Sequence, residues 1–262
     1  MRSPTPLTLG TIALSFHRAA AAVTQRVLEA HGHRVRVIEA PHEELFHRQA
    51  RGEIDVLVCA WLPSSHSTYL SSYRDQVRVL APYYTPYCLW AVPPYVPATV
   101  AGVADLARPE VAARMTRTVG GINAGAGISR FSTDMIGAYG LDRAGYRFTP
   151  GTEAGFLTRV ERGIARQEWF VIPLWRPQYL NRRHGLRPLV EPKGLLGTVD
   201  AARPVVRLDA LERIHPGALT RMNALRLGNE GIEELDTLIN ADGLTPLQAA
   251  DHYLATRPEP LP

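Results

Sequence analysis

Apolar and polar positions alternate along the chain with periods that change repeatedly, and the changes mark out strands and helices. The apolar run from Leu7 to Ala13 follows prolines and predicts a strand. From Arg18 to His31, positions Ala22, Val23, Arg26, Val27 and Ala30 recur at helical spacing, and Gly32 is the expected C-terminal cap. Val35, Val37 and Ile38 predict a second strand, and 42–52 a helix burying Leu45 and Phe46. Ile54 to Ala60 is apolar almost throughout, the pattern of a strand covered on both faces of a parallel sheet. This rhythm predicts an α/β lobe.

The texture changes near residue 81. Ala81 to Pro97 holds five prolines and four tyrosines and reads as extended segments. A second α/β series follows: a strand at 118–122, a helix at 128–139 capped by Gly140, a helix at 153–167 and a strand at 169–174. Extended segments come after Pro188, then helices at 216–225 and 231–239. Thr245 and Pro246 open a last helix, as N-cap and first helical residue. The tail from Arg257 to Pro262 is proline-rich. The expected architecture is α/β in two lobes, each a mostly parallel sheet flanked by helices. Residues 1–89 and 187–262 form the outer lobe and 90–186 an inserted middle lobe.

Charge changes this picture little. The net charge is +4, and Lys193 is the single lysine among 29 basic residues. The arginines are scattered among acidic residues with no basic run or nucleic-acid module, so nucleic acid is not an expected partner. Cys59 and Cys88 match no zinc or redox spacing and read as buried small residues, with a disulfide open to an exported protein. No window is long and apolar enough to span a bilayer. Residues 1–6 contain one arginine and two prolines but no leader core of roughly seven apolar residues. Two locations follow: the periplasm or the outer face of the membrane if a leader was removed, the cytoplasm if Met1 is the native start.

Candidate chemistry gathers at strand ends. The segment beginning at Asp55 runs along a buried strand to Trp61 and then Pro63, and ligands of open α/β sheets sit at such carboxyl ends. The segment Trp169-Phe-Val-Ile-Pro-Leu-Trp175-Arg-Pro177 repeats the arrangement in the other lobe. Two indole faces suit a fully alkylated cation, each contributing roughly 1–2 kcal/mol when desolvated. Trp90 is a third candidate, whereas Trp169, at the start of its strand, reads as core. The turn carrying Asn123, Gly125, Ala126, Gly127 and Ile128 joins a strand to a helix, and its backbone N–H groups could take a carboxylate. It has neither the P-loop pattern nor the dinucleotide spacing. The nine histidines show no metal-ligand spacing, Ser64, Ser65 and His66 are merely adjacent, and the Gly-x-Ser-x-Gly elbow is absent. No catalytic group, metal or cofactor is expected.

Four motifs in order, Ala60-Trp-Leu-Pro-Ser-Ser-His-Ser-Thr-Tyr69, Gly121-Ile-Asn-Ala-Gly-Ala-Gly-Ile128, Gln167-Glu-Trp-Phe-Val-Ile-Pro-Leu-Trp-Arg-Pro177 and Leu189-Val-Glu-Pro-Lys-Gly194, resemble the glycine betaine, choline and proline betaine substrate-binding proteins of ABC importers. The resemblance implies a two-lobed, hinged clamp like a periplasmic binding protein, with a ligand cleft between the lobes, that acts as a monomer and captures a quaternary-ammonium solute for a membrane permease. It puts Trp61 and Trp175 in an aromatic cage, with the turn from Asn123 to Ile128 facing the ligand. Many relatives carry a tryptophan where this chain has Phe16 and His17, and a histidine-containing Thr-Pro-His-Trp where it has Arg176-Pro-Gln-Tyr179. Glycine betaine is the default ligand, with choline, carnitine, a proline betaine or a sulfonium analogue as alternatives. A cytoplasmic sensor or scavenger on the same clamp is the rival role.

Overall fold

A computed structural model describes residues 6–257, so the first five residues of the segment read for a leader, and 258–262 of the tail, lie outside the described residues. In chain order the strands are β1 (Leu7–Ile12), β2 (Val35–Ala40), β3 (Val56–Leu62), β4 (Val77–Val79), β5 (Tyr87–Val92), β6 (Met115–Thr116), β7 (Thr118–Gly120), β8 (Arg147–Thr149), β9 (Trp169–Phe170), β10 (Ile172–Arg176), β11 (Arg187–Pro188) and β12 (Ala201–Arg207). Packing divides the chain into two compact units. The first runs up to Pro86 and resumes at Asp200, and the second is Tyr87–Val199.

The first unit is built on a five-stranded sheet of order β2-β1-β3-β12-β4. Strand β1 pairs in parallel with β2 and β3, setting Leu9 opposite Val37 on one side and Val56 on the other. Every residue of β1 is buried, as is β3 through Trp61, so this apolar centre is covered on both faces. Gly10 is required within β1: a Cβ there would lie 2.8 Å from Ile54 carbons. Strand β12 runs antiparallel to both β3 and β4. The sheet is mostly parallel in direction, with four strands running one way and β12 the other. The reversal follows from the chain re-entering this unit at Asp200 and slotting Ala202, Val205 and Val206, all fully buried, between strands already laid down. The helix Ser15–Ala30 packs on the sheet and against the helices Gly228–Asn240 and Pro246–Ala255. The last begins with a reciprocal cap, Thr245 Oγ1 accepting from Gln248 N while Thr245 N donates to Gln248 Oε1.

The second unit holds an antiparallel sheet, β10-β5-β11, and two short parallel pairs, β6-β9 and β7-β8. The segment 169–174, expected as one strand, is broken at Val171, its halves pairing in different sheets. The return to the first unit, expected at residue 187, falls at Asp200, because β11 pairs with β5 and keeps 187–199 in the second unit. The helix Gly127–Ala138 packs on β5 and β10. Cys59 is buried, which raises its pKa, and Cys88 is half-buried. Among the described residues no helix is long and apolar enough to cross a membrane.

Candidate ligand site

The chain turns sharply at the end of β3, and hydrogen bonds fix the turn around Trp61. His66 N donates to the Trp61 carbonyl and Trp61 N donates to His66 Nδ1, both at 2.9 Å. Accepting at Nδ1 leaves a neutral His66 with its proton on Nε2. The Asp200 carboxylate secures the intervening residues, accepting from Ser64 N (2.6 Å), Ser65 N (3.1 Å) and Ser65 Oγ (2.6 Å). Ser65 thus spends its hydroxyl proton on a structural carboxylate, which is not the geometry of a nucleophile activated by His66.

Rings converge on the 5% exposed Trp61. Its indole N–H donates to Tyr84 Oη at 3.0 Å, with the two rings edge to face. Phe16 and His17, from the first turn of the helix Ser15–Ala30, lie 5.5 and 5.6 Å from it between centroids, and His66 lies nearly parallel at 6.1 Å. His42 stands 6.3 Å from His17 and 5.2 Å from His66. Burial, reinforced by the neighbouring His42, drives the His17 pKa well below its ordinary value and keeps the ring neutral at pH 7. Its Nδ1 is buried without a hydrogen-bond partner in the protein. Burial raises the Tyr84 pKa, so that phenol stays protonated. Among the described residues no group of three or more His, Cys, Asp or Glu side chains is arranged to hold a metal ion.

The second unit gathers fewer rings. Trp175, at the end of β10 and 2% exposed, stacks on Phe156 at 5.6 Å and 28°. Phe156 comes from the helix Glu153–Ala165, which Thr152 caps by accepting from Gly155 N. The Trp175 carbonyl accepts from Asn181 Nδ2 at 3.0 Å. Trp90 is fully buried and donates its indole N–H to Ser132 Oγ at 2.8 Å, joining β5 to the helix Gly127–Ala138. Trp169, expected in the core, is only partly buried and lies under the Arg114 guanidinium at 4.0 Å, its two-residue strand β9 pairing with β6 alone in a two-stranded sheet.

Asn123 to Ile128 form a turn closed by Ala126 N donating to Asn123 O at 3.1 Å, and the helix then begins at Gly127 with no side-chain cap. Ala126, Gly127 and Ile128 are buried, whereas Asn123 and Gly125 are partly exposed. Neither Gly125 nor Gly127 has a positive φ. The glycines that packing demands lie just upstream: a Cβ at Gly120 would collide with Arg159 and one at Gly121 with Phe148. Gly125 instead presents its carbonyl to Arg130 Nη1.

The structure thus groups Phe16, His17 and Trp61 in one unit, and sets Trp90, Trp175 and the turn from Asn123 to Ile128 in the other. Tyr84, His42, Phe156 and Asp200 join these groups without having been singled out in the sequence. Each comes from an element distant in sequence, and nothing local sets it apart.

A family model described as the substrate binding domain of ABC-type glycine betaine transport systems, OpuAC, matches residues 5–256. The glycine betaine/carnitine transport binding protein GbuC of Listeria monocytogenes is 24% identical over 153 residues, covering 58% of this chain and 50% of GbuC, so the chain matches half the length of that curated relative. Among solved structures, lactococcal OpuAC in its closed-liganded conformation complexed with glycine betaine is similar at a TM-score of 0.83 and 24% identity, over 96% of this chain and 95% of that one. The glycine betaine/L-proline-binding protein ProX from Borrelia burgdorferi is similar at 0.84 and 23%, over 95% and 92%. A choline binding protein in complex with choline is similar at 0.81 and 19%, over 95% and 87%. These structures establish the fold as that of two-lobed periplasmic binding proteins. The family is one of solute-binding domains, not of enzymes, and this chain, matched over nearly its whole length, belongs to the substrate-binding domains of ABC-type glycine betaine transport systems.

Proposed function

We propose that the chain is the solute-binding component of an importer for a quaternary-ammonium compatible solute, with glycine betaine, choline or carnitine as the leading ligands. The observation that carries this reading is the ring cluster at the end of β3, where the Trp61 indole is held by Tyr84 and flanked by Phe16 and His17. A trimethylammonium head cannot donate a conventional hydrogen bond, so π-faces are the neutral groups best suited to attract it. Trp175 on Phe156 supplies the same chemistry in the second unit. A ligand touching both tryptophans would favour the state of the protein that makes both sets of contacts, which is how lobe closure would follow from binding. The uncapped start of the helix at Gly127 offers orphan N–H groups, with Asn123 and Gly125 beside it, to a carboxylate. Trp90, buried against Ser132, supports the second unit in this reading rather than gripping the ligand directly. The delivered partner is a membrane permease, and the working location is the outer face of the membrane or the periplasm. One chain carries both ring groups, so a monomer suffices.

Isothermal titration with glycine betaine, choline, carnitine and several amino acids tests the reading, using wild type, Trp61→Leu, Trp175→Leu and the double variant. Leucine keeps apolar bulk but removes the π-face, so each single change should weaken betaine binding about 5- to 30-fold, the equivalent of roughly 1–2 kcal/mol. Wild-type affinity in both single variants would remove the aromatic cage.

A further inference from the structure

The ring cluster of the first unit contains a polar atom that the protein leaves unused. His17 is 1% exposed, and its Nδ1 has no hydrogen-bond partner. Buried polar atoms are almost always paired, because an unpaired one forfeits its hydration and gains nothing in return. The ring is also held in place, with Phe16 4.4 Å away between centroids, Trp61 at 5.6 Å, and His42 and His66 each at 6.3 Å. None of these neighbours satisfies Nδ1. A cation held by an indole lies within about 6 Å of the ring centroid, the same distance range that separates Trp61 from His17. With a cation on the Trp61 face that His17 borders, an oxygen three bonds from the ammonium nitrogen, as in choline or glycine betaine, would come within reach of the imidazole.

Resting on the aromatic-cage reading above, we propose that His17 Nδ1 hydrogen-bonds an oxygen of the ligand, and that this makes the first unit selective for quaternary ammonium compounds bearing a nearby hydroxyl or carboxylate. A neutral imidazole nitrogen is either a donor or an acceptor. As donor, Nδ1–H suits a carboxylate or a hydroxyl oxygen. As acceptor, it takes a hydroxyl proton and repels a carboxylate.

The test is titration of wild type, His17→Phe and His17→Asn with choline, glycine betaine and tetramethylammonium, which has the cation but no oxygen. His17→Phe should weaken choline, betaine or both about tenfold and leave tetramethylammonium within about twofold. A loss confined to choline identifies Nδ1 as an acceptor; a loss that includes betaine identifies it as a donor. His17→Asn, whose amide can reach the position of Nδ1, should recover part of the lost affinity. The melting temperature of His17→Phe should equal or exceed that of wild type, since the change removes an unsatisfied atom. Equal weakening of all three ligands, a drop in melting temperature with general loss, or no change for any ligand would each overturn the proposal while leaving the cage intact. Failure of wild type to bind any of the three would instead refute the cage, and this inference with it.

Discussion

The two units end a buried strand in the same way, Trp61-Leu-Pro63 in one and Trp175-Arg-Pro177 in the other, yet they surround the indole differently. Trp61 is anchored by a hydrogen bond from its N–H to Tyr84 and ringed by Phe16 and two imidazoles. Trp175 is stacked face on by one phenyl ring, Phe156. The first arrangement fixes the indole's orientation through a directional bond and adds titratable neighbours. In the second, the Phe156 ring stacks on the indole face. A shared local motif thus positions an aromatic face, and long-range neighbours decide what else that face can sense.

The sharpest way to break this contrast is truncation. Trp61→Ala and Trp175→Ala each remove a buried indole and should cost about 3–5 kcal/mol of stability, a large share of the roughly 5–15 kcal/mol typical of folded proteins. Trp61→Ala should fall at the upper end, because Tyr84 also loses its partner. Urea unfolding of both variants measures this. If Trp175→Ala is clearly the worse of the two, the first unit's tryptophan is not the better anchored.

Acid sharpens the comparison, since the imidazoles belong to the first unit. His17 has a folded-state pKa far below the unfolded value of about 6.5. Below that pH the unfolded chain binds a proton that the native ring refuses. Its contribution to stability is therefore complete above about 6.5 and declines as pH falls toward the folded pKa, by at most about 1.4 kcal/mol per pH unit. His33, also lowered and half-buried, should add a weaker trend of the same sign. Stability measured by urea unfolding between pH 7 and pH 5 should fall in wild type and fall less in His17→Phe. Identical pH slopes would mean that His17 is not held neutral by its surroundings.

The smallest expected effect concerns the second unit's turn. Because Gly125 does not need a positive φ, Gly125→Val tests approach rather than backbone strain. A carboxylate received by N–H groups at this helix start would be hindered by the added bulk, so betaine should lose several-fold more affinity than choline. Equal losses for the two ligands would make the turn purely structural.

What the sequence made legible follows the range of each interaction. Local signals worked where the determinant is local: Gly32 and Gly140 adopt the positive φ of helix ends, and Thr245 with Gln248 builds the reciprocal cap that the Thr-Pro start announced. The hydrophobic run of β3 marked a strand buried on both faces, and the motifs marked where the two tryptophans end their strands. Pairing partners were not legible. Strand β12 is a short apolar stretch whose place between β3 and β4 depends on contacts far away in sequence. The apolar pattern of 169–174 does not announce the break at Val171, because its two halves differ only in which strand they meet. The same holds for the rings: Tyr84 and Phe156 lie 23 and 19 residues from the tryptophans they join, His42 lies 25 and 24 residues from the His17 and His66 rings it meets, and no spacing rule links them. In the glycine-rich turn neither Gly125 nor Gly127 has a positive φ, and the close side-chain approaches lie upstream, at Gly120 and Gly121.

The central claim is that aromatic faces attract the ligand's positive charge, and replacing that charge without changing shape tests it most directly. Choline and 3,3-dimethylbutan-1-ol have nearly the same size and the same hydroxyl, but the second carries a neutral carbon in place of the ammonium nitrogen. Titrated into wild-type protein, choline should bind at least about thirtyfold more tightly, the least expected if two desolvated indoles each contribute about 1 kcal/mol or more. Equal affinities would show that shape and apolar burial, not cation attraction, select the ligand, and would contradict the account.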